Sequence, residues 1–252
     1  MKGILKSCGL LLYFFFVQLI ASAGVVAFKI ITDTCWVDEV YFTVQDFGLL
    51  SSQYFELITE ILYPTLIIGD ILLILPFIIK DKCSFMKKVS KEEAFYWFCL
   101  GVVLNFIVSF VVNLLPTSDY DSLMSVVLTG NPLVVMLTSG ILAPIVEELV
   151  FRFGMFKVLK GNDKSKIIIS SLLFGLAHMN LVQSIYAFIL GLILGKSYAK
   201  DKNLVPSLIL HLTINATSVL YEFSGELCRV WLLIGVAFCG LYLVLRRVNH
   251  ER

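Results

Sequence analysis

Glu147 and Glu148 stand side by side near the end of a long apolar run, with Arg152 four residues beyond the second. Two later apolar runs carry one histidine each, His178 and His211, and Asn215 follows His211 by four. A charged carboxylate at the centre of a bilayer costs roughly 2.5–3.5 kcal/mol or more, so an acidic pair there marks a functional site by default. Carboxylates and imidazoles together can pass protons to and from water, which is the chemistry that hydrolysis needs.

The spacing divides the roles. Glu148 and Arg152 share one helix face, with the acid on the favoured N-terminal side, and read as a buried ion pair that supports the site. Glu147 lies about 100° round the same helix and needs another polar neighbour. The two intramembrane histidines are the candidates. His178 closes the run Phe174-Gly175-Leu176-Ala177-His178, and the remaining histidine of the three, His250, belongs to the C-terminal tail. His211 and Asn215 share a face of their own helix. Counted from the basic edge of each run, the depths are about 7 Å for Glu147, 10 Å for His211 and 16 Å for His178 and Asn215. Overlapping depths on three helices argue for one site.

Two chemistries fit these residues. In the first, Glu147 and a neutral imidazole deprotonate water, while a second histidine and an amide hydrogen-bond the oxyanion of a tetrahedral intermediate. No serine or cysteine flanks either histidine, so this is hydrolysis without a covalent nucleophile and without a cofactor. In the second, Glu147, His178 and His211 form a His₂Glu zinc set and the other glutamate is the base. The H-E-x-x-H signature is absent. The metal-free reading is preferred, and zinc stays open.

The elements that position these groups are membrane helices. Apolar runs near twenty residues recur throughout, at about 8–29, 57–79, 94–115, 132–151, 167–182, 184–199, 204–221 and 230–245. The fold class is all-α, a polytopic helical membrane protein of about eight spans forming one transmembrane domain over 1–252. Of the 20 lysines and arginines, all but Lys29 and Arg229 fall in the N-terminus, 80–93, 152–166, 196–203 and 246–252. The intervening segments carry Asp33, Asp38, Glu39, Asp46, Asp119, Asp121, Glu222 and Glu226. The positive-inside rule then places both termini in the cytoplasm, as an even number of spans requires. Lys2, Lys6, an apolar stretch and Ala21-Ser22-Ala23 resemble a cleavable signal. The apolar run continues to Phe28, which favours an uncleaved anchor.

Composition agrees. Of 252 residues, 58% are hydrophobic and 15% charged, well below the quarter usual in soluble domains. A net charge of +1 gives no reason to expect nucleic acid as a partner. The expected partners are the bilayer and a peptide or membrane-anchored substrate. Spans five and six look short and predict a tight hairpin near Asn180 to Gln183, leaving a wet recess. Gly191 and Gly195 form a G-x-x-x-G that permits close helix approach. Asp70, midway along span two, reads as a carboxylate paired with a hydroxyl or backbone group. Cys8, Cys99 and Cys239 read as small hydrophobes, and Cys35 and Cys228 share a side without further sign of pairing.

The ordered set E-E-x-x-x-R, F-x-x-x-H and H-x-x-x-N on successive apolar helices resembles the CPBP family, the CAAX proteases and bacteriocin-processing enzymes also called Abi. The resemblance covers about 147–215 and leaves 1–131 unmatched. It implies an intramembrane endopeptidase in which Glu147 and His178 activate water, His211 and Asn215 stabilise the oxyanion, and Glu148 and Arg152 orient the site. Family members are often labelled metalloproteases, although a metal-free mechanism is favoured for the CAAX-processing ones. Compactness and Ile/Leu/Lys-rich composition suggest a bacterial plasma-membrane peptidase acting in bacteriocin or peptide-signal processing or self-immunity. The alternative is a non-catalytic immunity or peptide-binding membrane protein. A proton-coupled transporter lacks the internal repeat expected of one.

Overall fold

The computed structural model describes residues 2–32, 52–81, 85–114 and 130–250. Cys35 and the acidic residues between 33 and 46 and at 119 and 121 lie outside the described residues. Eight helices follow in order: α1 (Lys2–Thr32), α2 (Ser52–Asp81), α3 (Lys91–Val112), α4 (Pro132–Val158), α5 (Asp163–Ala177), α6 (Leu181–Asp201), α7 (Leu204–Phe223) and α8 (Glu226–His250). The described residues contain no strand. Several helices open on side-chain caps that sequence alone would nominate. Asn162, Asn180 and Asn203 accept from the backbone N–H groups of Ser165, Gln183 and Val205, respectively.

Seven of these helices are long and apolar enough to cross a membrane. The exception is α5, whose 15 residues reach only about 22 Å against roughly 30 Å of hydrocarbon. The expected pair of short spans is therefore one short helix and one of full length, since α6 runs for 21 residues. The turn falls at His178 to Asn180, where Met179 adopts a left-handed φ of 54°.

Helix α4 forms the axis of the bundle, touching α1, α2, α5, α6 and α7. Its buried residues Val146, Val150, Phe151 and Met155 pack with Val17, Leu73, Phe174, Leu190, Leu194, Leu210 and Ile214. The α5–α6 hairpin is drawn tight by glycine. A Cβ on Gly175 would come within 2.6 Å of the Ser184 carbonyl oxygen, and Gly191 and Gly195 lie against Ser171 and Ile167. The G-x-x-x-G thus packs α6 on α5. On the far side α3 packs on α7, and α8 rests chiefly on α3 around Cys99, Val102 and Cys239. The outward surfaces are apolar, with Leu12, Leu19, Phe110, Trp231, Phe238 and Leu241 exposed, as lipid contact requires.

Two stretches of α4 are wound as π-helix, Met136–Leu142 and Glu148–Gly154, separated by the α-helical segment Ala143–Glu147. Such widened turns concentrate at functional sites because they re-aim side chains and free carbonyls. The acidic pair straddles the start of the second.

Candidate active site

Glu148 and Arg152 are wholly buried, with Arg152 Nε 3.5 Å from Glu148 Oε2. None of the guanidinium nitrogens makes a hydrogen bond among the described residues. The Arg152 charge is met instead by Glu148 and by the face of Phe174, 4.9 Å from the guanidinium carbon to the ring centroid. The other oxygen of Glu148 turns to α7, where Oε1 lies 3.0 Å from Nδ1 of His211.

His211 is the link between the two acids. Its Nε2 lies 3.4 Å from Oε2 of Glu147, so one imidazole faces a different carboxylate at each nitrogen. The acids differ in access: the Glu147 side chain keeps 18% of its surface open, and that of Glu148 none. With Nδ1 aimed at a carboxylate, a neutral ring carries its proton there and presents a lone pair toward Glu147. A charged ring presents a second N–H.

His178 ends α5. Its Nδ1 donates to the Phe174 carbonyl oxygen at 2.8 Å, because a carbonyl can only accept; the neutral ring then has its lone pair on Nε2. Among the described residues it pairs with no carboxylate. It reaches the site across Phe174, whose ring meets His178 edge-on at 4.9 Å and His211 edge-on at 5.7 Å. Phe174 is thus a shelf on which both imidazoles and the guanidinium are set. The F-x-x-x-H spacing carried this signal, since i and i+4 share a helix face.

Asn215 does not join the carboxylates. Its Nδ2 donates to the Ser139 carbonyl oxygen at 3.0 Å. The first π segment explains why that oxygen is free. The Ala143 N–H bonds Thr138, and the next donor in that register would be residue 144, a proline without an N–H. Pro144 therefore leaves Ser139 unpartnered within its helix, and Asn215 fills the gap from α7.

Sequence reasoning missed a third carboxylate here. Asp70 of α2 is 3% exposed and accepts from Nε2 of Gln18 on α1 at 2.9 Å. Its partner is a side-chain amide rather than the expected hydroxyl or backbone group. The charges of Asp70 and Glu147 interact directly.

The zinc set of Glu147, His178 and His211 does not assemble. No three His, Cys, Asp or Glu side chains among the described residues converge to hold an ion. Both nitrogens of His211 face carboxylates and His178 commits Nδ1 to its own helix. These residues do not fit a three-ligand zinc site.

A family model described as Type II CAAX prenyl endopeptidase Rce1-like matches residues 129–217, the stretch that holds α4 to most of α7. The UPF0177 protein YxdF of Lactococcus lactis is 30% identical over 158 residues, 58% of this chain and 88% of the relative. The membrane-embedded CAAX protease MroQ of Staphylococcus aureus is 30% identical over 151 residues, 54% of this chain and 61% of that protein. A second Lactococcus lactis protein, UPF0177 protein YvdC, is 26% identical over 154 residues, 55% of this chain and 58% of its own length. No solved structure gives a significant match. A helical membrane bundle with an acid–imidazole centre between three of its helices defines an intramembrane protease class. The chain belongs to the CPBP family within it.

Proposed function

We propose that this chain hydrolyses a peptide bond in a small peptide or membrane-anchored precursor, using water activated by Glu147 and His178. The observation that carries the reading is His211 held between a sealed carboxylate and an accessible one. Glu148 fixes the ring, and Glu147, the more open acid, takes the proton from water. His178, with its lone pair on Nε2, shares that task from the end of α5. The hydroxide formed attacks the carbonyl carbon, and Nε2–H of charged His211 and the second amide N–H of Asn215 receive the oxyanion. The proton then passes from Glu147 to the leaving amine, which closes the cycle with no metal. Residues 147–215 are the catalytic core. The host membrane is a bacterial plasma membrane with both chain ends on the cytoplasmic side, and bacteriocin or peptide-signal processing or self-immunity is the setting.

The test compares membrane peptides from cells carrying wild type or Glu147→Ala by mass spectrometry. Expected is a peptide bond cut only by wild type, with equal protein abundance. An identical peptide inventory would refute the peptidase reading.

A further inference from the structure

Outside the segment matched by the family model, α1 and α2 bring a carboxylate to the water-activating acid. Asp70 sits midway along α2, which packs against the Ala143–Glu147 segment of α4. Its side chain is 3% exposed. Oδ1 is held by the amide of Gln18 at 2.9 Å, and Oδ2 is buried without a hydrogen-bond partner. The approach is built closely: a Cβ on the neighbouring Gly69 would overlap the Gln18 amide. A bare carboxylate oxygen in a membrane bundle is costly unless something donates to it during the working cycle.

The charged groups around Glu147 are few. His211 faces it from α7, Glu148 and Arg152 belong to its own helix, and Asp70 faces it from α2. Among these Asp70 alone is both an acceptor and unpaired at one oxygen. With Glu147 ionised, the two carboxylates repel. Once Glu147 gains a proton, the same neighbour becomes the natural acceptor of its O–H.

We propose that Asp70, aimed by Gln18, is a positioning residue that receives the O–H of Glu147 when Glu147 takes a proton from water. The step balances without Asp70 changing state. A water O–H breaks, a Glu147 O–H forms and donates to Oδ2, and the hydroxide bonds to the peptide carbonyl carbon. The proton later leaves Glu147 for the amine nitrogen. Repulsion before the transfer becomes attraction during it, so the contact acts on the transition state and not on substrate binding. This inference rests on Glu147 being the water-activating acid.

Asp70→Asn is the informative variant. Asparagine still accepts from Gln18, so the α1–α2 contact survives, but the anionic acceptor is gone. The probe is an internally quenched peptide spanning a bond cut by wild type and spared by Glu147→Ala, assayed in detergent micelles. Asp70→Asn should lower kcat by about ten- to a hundredfold, the range for one charge-assisted hydrogen bond made in the transition state. KM should move by less than about twofold, the pattern of an interaction absent from the bound ground state. Gln18→Met, which keeps the acid and loses its aim, should lower kcat by a smaller factor. Glu147→Gln with Asp70→Asn should be no slower than Glu147→Gln alone, because the two act as one unit.

Wild-type kcat in Asp70→Asn, with loss only in Asp70→Ala, would reduce Asp70 to a helix fastener and overturn the proposal. If Asp70→Asn does not accumulate, wild-type kcat in Gln18→Met overturns it equally. A fully active Glu147→Gln would instead sink the peptidase chemistry itself, which separates the two failures.

Discussion

Nδ1 of His211 lies 3.0 Å from Oε1 of Glu148, and the glutamate at that contact has no exposed surface. A sealed carboxylate facing an imidazole on one side and a guanidinium on the other is a support for the ring. The neighbouring Glu147, with part of its side chain open, is left to meet water.

That division predicts different outcomes for the two acids. Glu148→Ala strands the buried Arg152 charge and should cost about 3–5 kcal/mol of stability. The measurement is thermal or denaturant unfolding in detergent. The double variant Glu148→Met with Arg152→Met should recover most of that stability while remaining inactive. Recovery of cleavage in the double variant would contradict the role given to Glu148.

Asn215 and Pro144 should be coupled although neither touches the other in sequence. Asn215→Leu leaves the Ser139 carbonyl without a donor, a loss of about 1–3 kcal/mol. Pro144→Ala supplies a backbone N–H in the same register, so the loss should shrink by about 1 kcal/mol when both changes are present. Additive effects in a double-mutant cycle would show that Ser139 does not link them.

Gly175→Ala tests whether the α5–α6 turn positions His178. Its Cβ would press on the Ser184 carbonyl at 2.6 Å, whereas Gly225 has open space around it. Displacing a catalytic group by about 1 Å can cost on the order of a hundredfold in rate. Gly175→Ala should therefore lose about ten- to a hundredfold of kcat with modest change in abundance, and Gly225→Ala should be silent.

Chelation separates the two chemistries that the residue types permit. Cleavage by purified protein should be unchanged by EDTA and by 1,10-phenanthroline, and the active protein should hold no stoichiometric zinc. Loss on chelation with recovery on adding zinc would restore the His₂Glu set.

Much of the scaffold was legible because hydrocarbon leaves few choices: twenty apolar residues between polar segments make a helix. The order of the E-E, F-x-x-x-H and H-x-x-x-N groups located the centre. Regular 3.6-residue winding also predicted the pairing of Glu148 with Arg152, which the structure shows at ion-pair distance. What sequence did not show is where winding departs from that period. Nothing but Pro144 hints at the π segments, and without them Asn215 seems free to serve the oxyanion with both amide hydrogens. The Gln18–Asp70 contact joins positions 52 residues apart on different helices, and periodicity carries no information on such pairs. The choice of His211 as the ring between both acids likewise depends on how α7 is rotated against α4.

The two π segments flanking Ala143–Glu147 also bear on how this helix can change over time. Removing one residue from within 136–142 would turn a surplus loop of winding into an ordinary one, leaving a sound membrane span behind. Everything C-terminal to the cut would swing by about 100° relative to what precedes it. Substitutions along the lipid-facing side should therefore be common among descendants of this chain, whereas length changes inside α4 should be filtered out even when they spare every functional residue.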